Sequence, residues 1–523
     1  MTNNQLDIII CIMPKINPEA PTVGPSVLKA HLVSAGFTCK VIDLNIKLFN
    51  KLDEDEAIKH FFENDKLFKV TLGHEHYLTE LDNVFGKFYN EYEYIFLEWI
   101  ELIKENRPEY IGLSLLSGFS RSSAIKFSQL IRKHLPEVKI IWGGADVGHG
   151  KMSLIQETGL IDYYITSDAE ISLVELLKNN LEAKGINGNP WEQVQDLNSI
   201  LMPDYDDIDW DEYEKASSLL KRKGFGNIRE KPVYITGSRG CVRKCTFCNV
   251  FEHWPKFKFR TGENIANEIT YINQTYGRKT FKFTDSLING SMKHFRSLVN
   301  LLKEYNENTN DNTQWRRENT NDNIQWSSQW ICKPKSQFTE NDYILMKKSG
   351  CRALEVGIES FSQHIRYHML KKFSDEDMWY SFDMLRKYKI HMTLLMFVGY
   401  PTETEKDHQH TLDTLRKLYR EGYTTARDDQ GRLLVYFSFA NTMMLEKNPP
   451  IPAWHLVKND ITDYKNELDW NYKGNTLKVR LRRLNEVQEL LTNLIGQDKG
   501  WMARKSIRRN EETLGVGVAH ATM

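Results

Sequence analysis

The sequence predicts an α/β protein in which two parallel-sheet units follow one another and a mainly helical tail closes the chain. Three observations carry that prediction. Short apolar runs alternate with helical stretches from Asp7 to about Leu177, and a second alternation runs from Pro232 to about Phe439. Beyond Asn441 a proline-rich break, Asn448-Pro-Pro-Ile-Pro452, opens a segment of helical patterning that carries Trp454, Trp470 and Trp501. At 523 residues the chain is too long for one hydrophobic core, and length alone suggests two to four domains.

In the first unit, Leu6-Asp-Ile-Ile-Ile-Cys-Ile12 reads as a buried strand, Pro25 to Ala35 as a helix stopped by Gly36, and Cys39-Lys-Val-Ile-Asp43 as the next strand. Tyr110-Ile-Gly-Leu-Ser114, a helix from about Ser120 to His134, and Val138-Lys-Ile-Ile-Trp142 continue the alternation. This order predicts a doubly wound, Rossmann-like parallel sheet, whose ligands bind beyond the carboxyl ends of the strands. Those ends are the loops Met13 to Gly24, Ser114 to Ser120 and Gly143 to Gly150. Gly143 and Gly144 would let the backbone approach a ligand or simply make a turn, and Ser114 and Ser117 could hydrogen-bond a nucleotide-like tail. The charged, aromatic-rich stretch 50–107 is an insertion within this first domain, residues 1–185. Residues 186–230, with the acidic run Pro203 to Glu212, read as a linker.

The second unit, residues 231–440, starts with the strand Pro232-Val-Tyr-Ile-Thr236. Further strands are expected at Thr280–Thr284, Gln325–Ile331, Ala353–Gly357, His391–Val398 and Leu433–Phe439, most of them separated by helices at Gly262–Thr275, Met292–Tyr305, Glu340–Ser349 and Glu405–Glu421. Six strands with intervening helices suggest a curved sheet or partial (β/α)6 barrel with its site at the carboxyl ends. Residues 441–523 form the C-terminal region.

The first of these strands delivers Ser238-Arg-Gly-Cys-Val-Arg-Lys-Cys-Thr-Phe-Cys-Asn249. Cys241, Cys245 and Cys248 are spaced C-x3-C-x2-C, with Phe247 just before the last thiol, so one loop can wrap three sulfurs around one inorganic centre. Structural zinc sites and ordinary ferredoxin clusters take four ligands, so three local cysteines point to a centre with an open coordination position. A closed zinc site completed by His253 or Cys332 is the alternative at this point. Cys11, Cys39, Cys332 and Cys351 are scattered singly through apolar surroundings, as small core residues are.

Composition excludes several classes. A charged fraction of 27% and a hydrophobic fraction of 41% are those of an ordinary soluble globular protein, and a net charge of -1 gives no global pull toward nucleic acid or anionic lipid. The tail is locally basic at Lys478, Arg480, Arg482, Arg483, Arg504, Lys505, Arg508 and Arg509, which fits a solvated helix face or contact with an acidic substrate or nucleic acid. Met1-Thr-Asn-Asn-Gln-Leu6 has no signal-peptide pattern and no apolar run nears a membrane span, so a reducing cytoplasmic location is expected.

The cysteine loop and its flanks resemble the radical S-adenosylmethionine superfamily over residues 232 to 440. Arg260 to Ile269 resembles the helix after the cluster loop, and Phe283-Thr-Asp-Ser-Leu-Ile-Asn289 the second strand and its Asp. Met346 to Ser360 resembles the G-x-E-S strand, and Gly399-Tyr-Pro-Thr-Glu-Thr404 the G-x-P-x-E-T turn. Upstream, Pro21 to Gly36, Ile111-Gly-Leu-Ser114, Trp142-Gly-Gly144 and Ile161 to Glu170 resemble the cobalamin-binding domain that precedes many such cores. Two departures stand out: Met13-Pro-Lys-Ile-Asn-Pro-Glu19 lacks the D-x-H-x-x-G histidine, and Ser167-Asp-Ala-Glu170 replaces the acidic-glycine motif.

The resemblance implies a [4Fe-4S] cluster on Cys241, Cys245 and Cys248, S-adenosylmethionine on the open iron, and cobalamin without a protein histidine on its lower face. It implies Glu359 and Ser360 near the ribose or methionine, Asp285 near the site floor, Gly399 shaping a turn, and Phe247 beside the cofactor. Glu359 could instead be a structural ion-pair partner, and Asp285 a helix cap. The implied activity is cobalamin-dependent methylation of an unactivated carbon of a small molecule or peptide, with an electron donor such as flavodoxin or ferredoxin. Rearrangement, cyclisation or methylthiolation beside a vestigial cobalamin domain is a second reading, and a cluster- or cobalamin-based sensor a third. One segment stands apart: Glu307-Asn-Thr-Asn-Asp-Asn-Thr-Gln-Trp315 recurs as Glu318-Asn-Thr-Asn-Asp-Asn-Ile-Gln-Trp326, and its composition predicts an exposed loop opposite the active site.

Overall fold

The computed structural model describes residues 5–14, 18–51, 91–116, 118–149, 152–166, 168–222, 232–311, 323–447 and 451–495. It divides into two compact units, Met1–Tyr234 and Ile235–Met523. The first holds five parallel strands, β1 (Ile8–Ile12), β2 (Cys39–Asp43), β3 (Tyr110–Ser114), β4 (Lys139–Gly143) and β5 (Tyr163–Tyr164), in the order β2-β1-β3-β4-β5. All five residues of β1 are buried, which is why the strand reads as a continuous apolar run: a central parallel strand is covered on both faces. The order reverses between β1 and β3, so the crevice beyond their carboxyl ends is a topological switch point.

Helices α1 (Val23–Ser34), α2 (Leu44–Asn50), α3 (Glu93–Asn106) and α4 (Gly118–His134) belong to this unit. Of the insertion, α3 is described through most of its length, and it buries Ile95, Phe96, Trp99, Ile100 and Ile103 at helical spacing. Residues 52–90 lie outside the described residues. The acidic run expected to be a linker is instead part of the first unit. Lys29 Nζ lies 3.0 Å from Asp204 and 2.7 Å from Asp207, and Tyr213 of α5 (Trp210–Arg222) donates a hydrogen bond to Asp43. Acidic residues next to one another are ambiguous in sequence, because the lysine that holds them lies about 175 positions upstream.

The second unit is built on six strands whose spatial order follows the chain: β6 (Val233–Ile235), β9 (Thr280–Phe283), β10 (Gln325–Trp330), β11 (Cys351–Glu359), β12 (His391–Val398) and β13 (Val435–Thr442). From β9 to β13 every pairing is parallel. The short strands β7 (Ser238–Arg239) and β8 (Lys258–Phe259) pair antiparallel around the cysteine loop. The helices are α6 (Gly262–Tyr276), α7 (Met292–Asp311), α8 (Glu340–Lys348), α9 (Gln363–His368), α10 (Asp375–Lys387), α11 (Glu405–Arg420) and α12 (Leu477–Ile495). Thr339 and Asp342, Ser374 and Asp377, and Thr404 and Asp407 form capping boxes that start α8, α10 and α11.

Two expectations change here. The duplicated segment is not one exposed loop: its first copy continues α7 to Asp311, and its second runs into β10, where Ile324 and Trp326 are buried. The Asn306 side chain joins the two by hydrogen bonds to the backbone of Ile324, and residues 312–322 lie outside the described residues. The C-terminal region is helical only in part, since β14 (Ile461–Tyr464) and β15 (Trp470–Tyr472) form an antiparallel hairpin before α12. Trp470 anchors that hairpin in a core with Tyr400, Met369, Leu445 and Ile451, against which Phe247 of the cysteine loop also packs.

Candidate functional site

The cysteine loop is fixed at both ends. At its entry, Gly237 N donates to Asp285 Oδ2 at 2.9 Å, Ser238 Oγ donates to Asp285 Oδ1, and Arg260 N donates to Gly237 O at 2.9 Å. Asp285 is buried, and that burial pushes its carboxyl up to about 6 against the opposing hydrogen bonds from Ser238 and Gly237. Its place is beneath the loop entry, with both oxygens engaged on the backbone and side chain that lead to Cys241. Gly240 then turns the chain at φ +83, where a Cβ would come within 2.6 Å of Lys256 O.

The far half of the loop is tied to three separate elements. Thr246 N donates to Met369 O at 3.2 Å, Thr246 Oγ1 and the Tyr400 hydroxyl share a 2.8 Å hydrogen bond, and Ala453 N donates to Thr246 O at 2.7 Å. Cys248 N donates to Cys245 O at 3.1 Å and closes the turn that brings the last two thiols together. Burial pushes the Cys245 thiol up to about 11 and raises Cys248 as well, and each is opposed by the Lys371 cation. Thiols that resist ionisation in the free protein become thiolates when they ligate iron, so loading releases protons.

Lys371 follows α9 and is 6% exposed. Its Nζ donates to Glu359 Oε1 at 2.8 Å and to Gly357 O at 3.0 Å, and it lies 5.4 Å from the centre of the Phe247 ring. Glu359 ends β11 at φ +64, beside a register shift in the β11–β12 pairing, a strained backbone that turns the residue out of the regular strand alternation. Cys241, Cys245, Phe247, Glu359 and Lys371 are thereby gathered at the carboxyl end of the sheet. The spacing of the cysteines signalled the thiols; nothing local signalled Lys371, which lies 12 residues beyond its partner Glu359.

Ser360 is buried, and its Oγ accepts from Ser362 N at 3.2 Å while its carbonyl accepts from Arg366 at 2.9 Å. Gly399 has φ +84, and a Cβ there would overlap the Arg480 side chain; Gly399 N donates to Glu403 Oε2 at 2.5 Å. Arg480 itself stacks on Trp470, 3.6 Å from the ring centre, and donates to the carbonyls of Trp470 and Asn475. The turn therefore seats α12 and the hairpin over this end of the unit. Glu405, His408 and Glu486 also converge, but Arg482 and Arg483 already engage both carboxylates.

In the first unit, Ser114 O accepts from Met13 N at 3.3 Å, which puts Ser114 at the switch-point crevice, and Gly143 O accepts from Leu115 N at 2.8 Å one strand over, at the carboxyl end of β4. Gly144, at φ +107, packs so closely on Leu115 that a Cβ would overlap the Leu115 carbonyl, whereas Gly143 faces open space. The first two turns of α1 and α4, which follow β1 and β3, carry buried hydroxyls on Ser26, Ser120 and Ser123 that have no hydrogen-bond partner among the described residues. Ser117 lies outside the described residues.

Residues 235–415 match the Radical SAM superfamily. An uncharacterised methyltransferase of Pyrococcus horikoshii is 22% identical over 373 residues, 68% of this chain and 74% of its own. The anaerobic magnesium-protoporphyrin IX monomethyl ester cyclase of Synechocystis sp. is 24% identical over 220 residues, 40% of this chain and 42% of its own. Among solved structures, the radical S-adenosylmethionine methyltransferase TsrM from Kitasatospora setae, with cobalamin and a [4Fe-4S] cluster bound, aligns with a TM-score of 0.57 at 15% identity, covering 87% of this chain and 78% of TsrM. The cobalamin-dependent S-adenosylmethionine radical enzyme OxsB aligns with a TM-score of 0.63 at 14% identity, covering 94% of this chain and 67% of OxsB. These two share the α/β fold. Among the described residues no helix is long and apolar enough to cross a membrane.

Proposed function

Starting from a radical S-adenosylmethionine domain at residues 235–415, we propose that the protein is a cobalamin-dependent enzyme that methylates an unactivated carbon of a small molecule or peptide. The observation that carries this reading is the order of its two sheets: a parallel sheet of order 2-1-3-4-5 precedes the six-stranded sheet that bears the cysteine loop. That second sheet, with strands ordered as in the chain, corresponds to a partial barrel with its site at the carboxyl ends. A [4Fe-4S] cluster with S-adenosylmethionine supplies a 5′-deoxyadenosyl radical, and cobalamin supplies the methyl group.

The chain's own residues fit those groups. Cys241, Cys245 and Cys248 are a thiol set for three irons, and Asp285, through Gly237 and Ser238, sets the angle at which the loop leaves β6. Phe247 and the buried Lys371–Glu359 pair border the thiols and exclude water from one side. Glu359 and Ser360 would face S-adenosylmethionine, and the Gly399 turn seats the tail that covers the substrate. Ser114, Gly143 and the unpartnered hydroxyls of Ser120 and Ser123 suit the corrinoid tail. An electron donor such as flavodoxin or ferredoxin would supply the reducing electron.

Protein expressed with ample cobalamin and purified anaerobically should carry a corrinoid absorption spectrum. The same preparation with a strong reductant should release 5′-deoxyadenosine from S-adenosylmethionine. Release of 5′-deoxyadenosine without bound corrinoid would favour the second reading, radical chemistry without methyl transfer. The segment Met13 to Glu19, which contains no histidine to ligate cobalt, is the observation on that side.

A further inference from the structure

Eight cationic side chains are buried among the described residues, and seven of them are matched. Lys29, Arg121, Arg260, Arg366, Lys371 and Arg483 each meet a carboxylate, and Arg480 donates to backbone carbonyls. The eighth is Lys333, 7% exposed, three residues past the carboxyl end of β10, with no hydrogen bond or ion pair. Its electrostatic neighbours are a second cation, Arg243, and Cys241. Arg243 stands inside the cysteine loop; its backbone N–H lies against Cys241 Sγ at 3.4 Å, and its Nε is buried without a partner. A buried cation beside a half-buried one, with no anion between them among the described residues, costs free energy unless an anion joins them.

The neighbouring charges do not settle that imbalance. Glu359 already neutralises Lys371. Three thiolates on a doubly positive cluster leave one net negative charge, and the sulfonium and carboxylate of S-adenosylmethionine offset each other. Lys333 and Arg243 then remain in excess. We propose that Lys333 and Arg243 form a receptor at the mouth of the cysteine loop for an oxyanion of the substrate, a carboxylate or phosphate. The inference deepens the radical-enzyme reading and rests on it, since it makes an anionic group part of what the site recognises. Arg243 offers a planar fork and Lys333 a point charge, a combination suited to two oxygens of one anion.

The test uses the full-length reconstituted protein, titrated anaerobically with S-adenosylmethionine, with its decarboxylated analogue and with inorganic phosphate. K333Q and R243Q should each weaken phosphate binding about tenfold or more, with K333R retaining most of it. Loss for S-adenosylmethionine but not for the decarboxylated analogue would place the two cations on the cofactor carboxylate and overturn the proposal. Loss for phosphate with S-adenosylmethionine unchanged assigns it to the substrate. Unchanged affinity for all three in both variants overturns the proposal, and a cluster potential displaced in the same variants would show that the cations serve the cluster alone. If the wild type takes up no cluster, the radical-enzyme reading fails by its iron content, while the phosphate titration still reports on the two cations.

Discussion

Replacing Lys371 by methionine removes the ammonium from a pair whose side chains are only 8% and 12% exposed. The Glu359 carboxylate and the Gly357 carbonyl lose donors at 2.8 and 3.0 Å with little water to replace them. Breaking one side of a buried ion pair costs about 3–5 kcal/mol, and the residual exposure of Glu359 places this case near the lower end, at about 3 kcal/mol. Removing both partners, as K371M with E359L, leaves only the Gly357 carbonyl unpaired, a loss of about 1–2 kcal/mol. The two single losses should therefore exceed the double loss by at least about 2 kcal/mol when summed. Urea unfolding of the apoprotein, followed by tryptophan fluorescence and near-ultraviolet circular dichroism, measures all four corners of the cycle. Burial works against the Lys371 ammonium, but Glu359 and Cys245 more than offset it and hold its pKa above 10.5. The ammonium's share of the pair is thus fully present below pH 10.5 and fades as pH rises through the folded value. Single losses below about 1 kcal/mol, or strictly additive ones, would refute the assignment of Lys371 as the counter-ion that makes Glu359 tolerable beside the thiols.

Gly399→Ala places a Cβ into Arg480 at a positive φ and should cost about 2–4 kcal/mol, lowering the thermal midpoint by roughly 5–10 °C; an unchanged midpoint would contradict the close packing of α12 on the turn. Burial raises the Asp43 carboxyl to about 6, despite hydrogen bonds from Tyr213 and Ile46. A raised folded value stabilises fully below the unfolded pKa and is lost as pH climbs through about 6, so urea stability should decline across that window by up to about 3 kcal/mol. Asp43→Asn, which can keep the cap to Ile46, should remove Asp43's share of that slope and leave the share of Asp285, which is also raised to about 6; a slope unchanged by the substitution would locate its origin elsewhere. Cys241→Ala, Cys245→Ala and Cys248→Ala should each leave the fold intact by circular dichroism but prevent recovery of a [4Fe-4S] absorption spectrum after reconstitution. Normal iron and sulfide content in any of the three would remove that cysteine from the ligand set.

Much of the fold was legible because the signals are local. Ile8–Ile12 is a short apolar run, the mark of a parallel strand buried on both faces, while His391–Val398 is apolar over most of its length although its residues alternate between half-buried and buried. Helix α10 went unread even though Ser374 and Asp377 form a capping box and Met378, Phe382 and Leu385 share its buried face, because its start falls in the charged run Lys371 to Asp377. The acidic run near Asp204 was read as part of a linker because its counter-ion Lys29 is remote in sequence. The same physics governs the site. Three cysteines within eight residues announce themselves, whereas Lys371, Lys333 and Arg243 acquire meaning only when β10, β11 and α9 bring them to the same sheet end. The tandem repeat misled for a related reason, since the first residues of one copy continue a helix and the last residues of the other enter a buried strand.

Release of 5′-deoxyadenosine tests the central claim most directly. Anaerobically reconstituted wild-type protein, given S-adenosylmethionine and a strong reductant, should release it, and the Cys245→Ala protein should not. Wild-type protein that carries a complete cluster and binds S-adenosylmethionine, yet releases no 5′-deoxyadenosine, would contradict the account.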